Sequence, residues 1–355
     1  MKLIVACGGT GGHSFPGLAV ASELASRGND VTVWMSGRDV ETSVLKGWSG
    51  PVFATGARPL SLKNAMRNIR AFMRCLGEMK RARPDALLAM GSYSSLPPVI
   101  AAARRRVPVV LHEANTVPGR AIDFLSNFAR AVAISFENTA QYFPGKNTVL
   151  TGLPVRLDVA GQPPFENVPE GAFRVFVTGG SQGAHRVNEI ASKALVLLSR
   201  NLASRGRRLY VIHQTGANDE AEVARAYASA GIPARVKAFE HEMGRAFATA
   251  DVVIARAGAS TCFELALTGK PAFLIPLPSA LRNHQHFNAA VFVAAQAAAE
   301  GRQDELSPRS LANWLLHKAE NKYSIAEMAR RMSALRRPDA ASKVADLVER
   351  VAREG

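Results

Sequence analysis

Acidic residues are scarce in this 355-residue sequence: 29 Asp and Glu stand against 44 Lys and Arg, for a formal charge of +15. The excess points to an anionic partner, whether nucleic acid, an anionic lipid surface or a phosphorylated substrate. Aromatics are also few, at 7%, and sparse within the basic stretches, which argues against the stacking platforms of nucleic-acid binders. No nucleic-acid partner is expected, and a membrane surface is the better candidate. Only three cysteines occur, Cys7, Cys75 and Cys262; they share no metal-ligand spacing and cannot all pair. The expected compartment is therefore a reducing cytoplasm. No apolar segment approaches the ~18 uninterrupted residues of a membrane span. Met1-Lys2 runs straight into an apolar strand, without the charged region, apolar stretch and cleavage site of a signal peptide. Asp-x-Asp is absent, which argues against manganese chelation of a nucleotide diphosphate. Neither metal nor cofactor is expected.

What the sequence does contain is a repeated pattern. Leu3-Ile4-Val5-Ala6-Cys7 runs into Gly8-Gly9-Thr10-Gly11-Gly12-His13, and Val175-Phe176-Val177 runs into Thr178-Gly179-Gly180-Ser181-Gln182-Gly183. Each is a strand, a turn and a helix start. Glycine permits positive φ and close backbone approach, and a helix N-terminus offers unpaired N–H groups to an anion. Two such loops facing each other would hold a phosphorylated ligand in a cleft. Neither keeps the G-x-G-x-x-G register, the P-loop signal is absent, and Trp34-Met35-Ser36-Gly37 lacks the acid that would hold an adenosine ribose. The ligand is expected to be neither a nicotinamide dinucleotide nor ATP.

Around these loops, short apolar runs alternate with helical patterns from residue 1 to about 155, and the same grammar restarts near 172, which predicts an α/β chain of two doubly wound domains with parallel sheets. The expected division is 1–160, a linker at 161–171 rich in proline and glycine, and 172–339, with a C-terminal helix at about 340–355 packing back on the first domain. The helix expected over 62–82 is amphipathic. Lys63, Arg67, Arg70, Arg74 and Arg81 form one stripe, and Met66, Ile69, Phe72, Met73 and Leu76 gather on another face. It reads either as a solvated surface helix or as a membrane-facing one; Arg104-Arg105-Arg106 favours the second, since each basic group near anionic lipid contributes ~1 kcal/mol.

Several strand ends carry chemistry. His13, at a helix start in the first loop, suits a general base because its ordinary pKa lies near ~6.5; the alternative is a structural histidine bonding loop carbonyls. His112-Glu113-Ala114-Asn115 ends a strand at the carboxyl edge of a parallel sheet, where such folds bind ligands. In Ala255 to Glu264, small residues would let a sugar or phosphate rest on bare backbone. Glu264 can accept two hydrogen bonds from adjacent ribose hydroxyls, or else serve as a capping-box acid reaching back to Ser260 or Thr261. The amides and imidazoles of Asn283 to Asn288 suit hydroxyl-rich sugars.

Taken in order, Gly8 to Pro16, His112 to Asn115, Thr151-Gly152-Leu153-Pro154-Val155-Arg156, Gly179 to Ala184, His213-Gln214-Thr215-Gly216 and Arg256 to Glu264 resemble the MurG family, the peptidoglycan N-acetylglucosaminyltransferases of glycosyltransferase family 28. The likeness spans nearly all of residues 3–290. It implies a GT-B fold and metal-independent, inverting transfer of N-acetylglucosamine from UDP-GlcNAc to the muramoyl-pentapeptide of undecaprenyl-diphosphate-linked lipid I, giving lipid II. It also implies a peripheral location on the cytoplasmic face of the inner membrane, with other cell-wall synthesis proteins as further candidate partners. By position it assigns Arg156, Ser181, Met243, Ala259, Ser260, Thr261, Cys262, Phe263, Glu264 and Gln285 to the donor. Thr10, Gly11, Gly12 and Asn115 line the cleft from the N-terminal side, and Tyr93, His112, Glu113 and Asn288 are acceptor-side or supporting candidates. The family usually has other residues where Leu96, Ala114, Ile122, Leu153 and Arg282 or Asn283 stand, so donor chemistry is the better supported half. Alternatives are another UDP-sugar enzyme of the fold, such as a UDP-GlcNAc 2-epimerase, and a non-catalytic nucleotide-sugar-binding scaffold.

Overall fold

Continuous apolar runs such as Ala86-Leu87-Leu88-Ala89 and Val252-Val253-Ile254-Ala255 have no polar face to turn to water, so they form strands covered on both sides. The computed structural model describes every residue except Thr10, 39–44, Lys46, Ser181 and Gln182. Its chain divides into two compact units, Met1–Arg156 with Arg337–Gly355, and Leu157–Arg336.

In the first unit the elements run β1 (Lys2–Ala6), α1 (Gly11–Ser26), β2 (Asp30–Met35), β3 (Val52–Ala54), α2 (Ala65–Ala82), β4 (Ala86–Ala89), α3 (Leu96–Arg105), β5 (Val109–Glu113), α4 (Arg120–Leu125), β6 (Ala131–Ile134) and β7 (Thr148–Leu150). All seven strands are parallel, in the order β3-β2-β1-β4-β5-β6-β7. The order reverses between β1 and β4, so the loops leaving those two strands diverge and leave room for a ligand at their carboxyl ends.

The second unit repeats the plan with β8 (Phe173–Thr178), α5 (His185–Ala203), β9 (Leu209–Gln214), α6 (Glu220–Ser229), β10 (Ala234–Lys237), α7 (Met243–Thr249), β11 (Val252–Ala255), α8 (Ala259–Thr268), β12 (Ala272–Leu274), α9 (His284–Ala294), β13 (Ala298–Glu300), α10 (Pro308–Glu320) and α11 (Lys322–Ala334). Its six parallel strands are ordered β10-β9-β8-β11-β12-β13, with the reversal between β8 and β11. Val187, Ile190, Ala194, Leu195 and Leu198 of α5 recur at helical spacing and close one core against Val175, Val177 and Val211.

The last helix, α12 (Ala340–Glu354), belongs to the first unit. Pro338 separates it from α11, and Val344, Leu347, Val348 and Val351 make a stripe buried with Leu18, Ala21 and Leu24 of α1. Burying each such side chain contributes about 1.5–3 kcal/mol. Arg27 fixes the helix in register by donating to Asp346 at 2.6 Å and to Ser342 Oγ at 2.7 Å.

The proline- and glycine-rich segment 161–171 lies within the second unit, which corrects its reading as a linker. Phe165 is buried there between two guanidinium groups, Arg235 at 4.3 Å and Arg245 at 4.9 Å from its ring centre, and its N–H donates to Thr249 Oγ1 at 2.7 Å. These contacts tie the segment to α7 and β10, so the division falls at Arg156 instead. The first glycine loop is likewise shorter than expected, because α1 already includes Gly11, Gly12 and His13.

Candidate functional site

In the first unit the polar groups collect where β1, β4 and β5 end. Ser94 Oγ donates to the Gly8 carbonyl and Ser14 Oγ to that of Cys7 at 2.8 Å, which ties the first glycine loop to the loop after β4 and to α1. Close approach is enforced by size: a Cβ on Gly17 would lie 2.8 Å from Cys7 Sγ and 3.1 Å from Met90 Cγ. His13 rests on the bare backbone of Gly91, where an added Cβ would come within 3.3 Å of its ring. His112 lies next to it, wholly buried, with Nε2 3.2 Å from the Gly152 carbonyl. Burial, reinforced by the charge of the neighbouring His13, pushes the His112 pKa down to about 4, so the ring is neutral near pH 7. Its Nε2 then donates to Gly152, and Nδ1 is a buried acceptor that finds no partner among the described residues.

Glu113 is also buried, and its carboxylate organises the loop that follows. It accepts from the Asn115 N–H at 2.8 Å, from Asn115 Nδ2 at 3.2 Å and from the Gly119 N–H at 2.9 Å. Desolvation raises its pKa against those bonds. Tyr93 accepts from Arg38 Nη1 at 3.0 Å, and the Arg156 guanidinium lies 5.1 Å from the Phe15 ring centre. The structure thus groups His13, His112, Glu113 and Asn115 at neighbouring strand ends. Arg156, expected at the donor, belongs to this first unit. Ala114, Ile122 and Leu153, where the sequence departs from the family, are buried. Thr10 and Ser181 lie outside the described residues.

In the second unit the glycine loop is held by side chains from β8 and β9. Thr178 Oγ1 accepts from the Gly180 N–H at 3.2 Å and lies 3.3 Å from Gln214 Oε1, while Gln214 Nε2 donates to the Gly180 carbonyl at 3.2 Å. Gly183, at φ +73°, lies flush on the backbone after β9. Behind it, Asn188 donates to the Thr215 carbonyl and to Asp219 Oδ2, both at 2.7 Å. Sequence reasoning missed Asn188 and Asp219 because their partners lie 27 to 34 residues away and no local pattern marks them.

The donor segment expected at 259–264 splits by helical phase. Gly258 caps α8, so a capping-box acid would stand at the third helical residue, Thr261, and Glu264 lies beyond that position. Ala259, Cys262 and Phe263 are buried, with Phe263 edge-on to Phe292, so their side chains serve the core; Ser260, Thr261 and Glu264 remain partly open. Gln285, expected to touch the sugar, accepts the Leu277 N–H at 2.9 Å through Oε1, and buried Asn288 donates to the Ala257 carbonyl at 3.2 Å. Both therefore shape the loops around β11 and β12. Arg256 does the same, donating to the carbonyls of Ile275 and Pro276 at 3.1 Å and to Gln303 at 2.7 Å. Beside these lies a cavity of about 340 Å³ lined by Pro276, Asn283, His286, Glu300, Arg302 and Asp304 among others. Met243 is the partly buried first residue of α7.

Away from the strand ends, α2 buries Ala71, Cys75 and Met79 against the first sheet. Phe72 and Leu76 sit at the core's margin, whereas Leu60, Leu62, Met66, Ile69 and Met73 are exposed among Lys63, Arg67, Arg70 and Arg74, so the expected apolar face is really two. Among the described residues no helix is long and apolar enough to cross a membrane.

Comparisons with known proteins agree with this arrangement. Residues 3–134 match the glycosyltransferase family 28 N-terminal domain and residues 174–351 the glycosyltransferase family 28 C-terminal domain. Over 376 residues the chain is 36% identical to the UDP-N-acetylglucosamine--N-acetylmuramyl-(pentapeptide) pyrophosphoryl-undecaprenol N-acetylglucosamine transferase of Pelobacter propionicus, covering 98% of each. The Bordetella petrii protein of the same name is 38% identical, with 99% of this chain and 98% of that protein covered. Among solved structures, Acinetobacter baumannii MurG superposes with a TM-score of 0.80 at 30% identity, over 98% of this chain and 99% of that one. A putative UDP-N-acetylglucosamine 2-epimerase from Listeria monocytogenes shares the fold, with a TM-score of 0.76 at 12% identity over 100% and 97%.

Proposed function

The chain belongs to glycosyltransferase family 28, and on that premise we propose that it transfers N-acetylglucosamine from UDP-N-acetylglucosamine to the muramoyl-pentapeptide of an undecaprenyl-diphosphate-linked acceptor, completing the disaccharide-lipid precursor of peptidoglycan. The observation that carries this reading is the full-length identity to transferases of that name, joined to polar strand ends in both units. The second unit takes the donor. Its glycine loop and the start of α5 meet the diphosphate with backbone N–H groups and a positive dipole end, while Ser260, Thr261 and Glu264 meet the nucleoside. The leaving UDP is stabilised by those fixed dipoles, which need no reorganisation as charge develops.

The first unit takes the acceptor. Its attacking hydroxyl displaces UDP from the anomeric carbon with inversion, and His13 removes the hydroxyl proton. Neutral His112 adds no positive charge that would oppose His13's uptake of the proton, and the Gly91 backbone sets the orientation of the His13 ring. Thr10, Gly11, Gly12 and Asn115 border this half, and Ser181 assists the donor. The exposed face of α2 lies on anionic lipid, where the acceptor's polyprenyl chain is anchored: Met66, Ile69 and Met73 enter the interface and the surrounding cations meet headgroups, each worth ~1 kcal/mol.

The test incubates purified protein with labelled UDP-N-acetylglucosamine and a short-chain lipid I analogue without added metal. Formation of the disaccharide-lipid is expected, and its failure to appear overturns the reading. Donor isomerisation without acceptor would indicate an epimerase instead. Co-sedimentation with anionic vesicles is expected to weaken with salt and with Met66, Ile69 and Met73 all changed to Ser; binding indifferent to both would remove the membrane role from α2.

A further inference from the structure

A chain of hydrogen bonds with a fixed direction runs beneath the second glycine loop. His213 is wholly buried, and desolvation pushes its pKa down to about 3, so the ring is neutral with one donor and one acceptor nitrogen. Its Nδ1 lies 2.8 Å from the Tyr227 hydroxyl and its Nε2 3.1 Å from Asn188 Oδ1. Asn188 Oδ1 can only accept, so Nε2 carries the proton and Nδ1 accepts from Tyr227. With its oxygen committed, Asn188 turns both amide hydrogens the other way, to the Thr215 carbonyl and to Asp219 Oδ2. That carbonyl is the surface on which Gly183 sits: a Cβ there would lie 2.7 Å from the Thr215 carbonyl carbon and 2.8 Å from Gly216 Cα. Asp219, the cap residue of α6, closes the chain with Oδ1 2.9 Å from Nδ1 of His185. His185 is the first residue of α5, and its side chain is 73% exposed.

We propose that Asn188, Asp219 and His185 are positioning residues for the nucleotide donor, seating the glycine loop on the Thr215 carbonyl and making that seat sensitive to the proton on His185. The inference rests on the donor reading of the second unit. With His185 protonated, Asp219 is balanced and the α5 terminus presents a positive charge beside the place of the diphosphate. Once His185 is neutral, a carboxylate without its counter-ion stands close to that anion. The groups facing His185 are Asp219 and Glu222 from α6 and Glu189 from its own helix, the last also held by Arg186 and Lys193. All three acids favour the proton, Asp219 most, so the transition lies above the usual histidine range.

The experiment measures KM for UDP-N-acetylglucosamine from pH 6 to 9 together with calorimetric binding of UDP alone. In the wild type, KM rises roughly threefold to fivefold with pH, the size of a helix-terminal charge effect, while kcat changes less. His185→Gln holds the higher KM at every pH and His185→Arg the lower one; Asp219→Asn moves the transition down toward the unperturbed histidine value. Because His185 is exposed, its two variants fold, and they decide the matter even if Asp219→Asn does not. A wild-type KM flat in pH, or His185 variants that keep the wild-type profile, overturns the proposal. UDP that binds equally well at every pH and in every variant overturns it while leaving the donor reading intact; no UDP binding at any pH overturns both.

Discussion

Replacing Gly183 with alanine tests whether the second glycine loop works through close backbone contact. The residue sits at φ +73°, where an L side chain costs about 1–2 kcal/mol. Its new Cβ would fall 2.7 Å from the Thr215 carbonyl carbon and 2.8 Å from Gly216 Cα, where ordinary contact begins near 3.4 Å. The Thr215 carbonyl cannot yield cheaply, since it accepts from Asn188 at 2.7 Å and Thr215 is itself buried. The loop must therefore move by about 1 Å, and misplacement on that scale costs on the order of 10²-fold in rate. Gly206→Ala is the control: it carries the same backbone penalty at φ +68° with nothing among the described residues within 4 Å of the new atom. The assay is kcat/KM for UDP-N-acetylglucosamine at saturating acceptor, with UDP calorimetry and a thermal melt for each variant. Gly183→Ala is expected to lose about two orders of magnitude and most UDP affinity, and Gly206→Ala to keep both. A Gly183→Ala enzyme within threefold of wild type, or a Gly206→Ala enzyme equally impaired, would refute the reasoning.

His13→Ala is expected to lower kcat by about 10²–10⁴-fold, the usual contribution of a positioned base, with UDP affinity unchanged; near-wild-type turnover removes His13 from the chemistry. Leu347→Ala, at a side chain 1% exposed between α12 and the rest of the first unit, should cost about 2–5 kcal/mol in urea denaturation, and a loss below about 1 kcal/mol would mean that α12 packs loosely. Acid should weaken both units. His112 and His213 are held by burial at about 4 and about 3, below the ~6.5 of the unfolded chain, so on acidification from pH 6.5 the unfolded state takes up protons first. Stability then falls by about 1.4 kcal/mol per pH unit per histidine until the folded pKa is reached. Nitrogen NMR should find both imidazoles neutral at pH 5, and a charged ring at either position contradicts its burial.

What was legible in the sequence is what local pattern encodes. Strands ending in glycine turns are visible because one stretch of chain carries the apolar run, the turn and the helix start. Strand β6 is hidden because Ala131-Val132-Ala133-Ile134 is short and half alanine, a residue that gives no strand signal, and β13 is three residues long. The segment 161–171 has the composition of a linker, and nothing within it announces that Arg235 and Arg245 will enclose Phe165. The same limit governs the sites. His13 and Glu113 could be picked out at strand and helix ends, but the pairing of His112 with Gly152 spans 40 residues and that of Asn188 with Asp219 spans 31. Such contacts depend on strand order, which alternation alone leaves open.

Family resemblance and structure also divide the work within a single motif. Resemblance marks Ala259 to Glu264 as one donor-binding run, but a helix cannot turn six successive side chains toward one ligand, because each residue advances about 100° around its axis. Ala259, Cys262 and Phe263, spaced three and four apart, take the core side and are buried. Ser260, Thr261 and Glu264, the last four and three residues on from the other two, are left on the open side. The buried members act on a ligand only by placing the helix and its first N–H groups, so replacing the Cys262 thiol with a similar apolar group should disturb packing alone. Loss of the Glu264 carboxylate, by contrast, should weaken UDP binding without lowering the melting temperature. If Cys262→Ala instead cost UDP affinity at unchanged stability, the division of the motif by helical phase would be wrong.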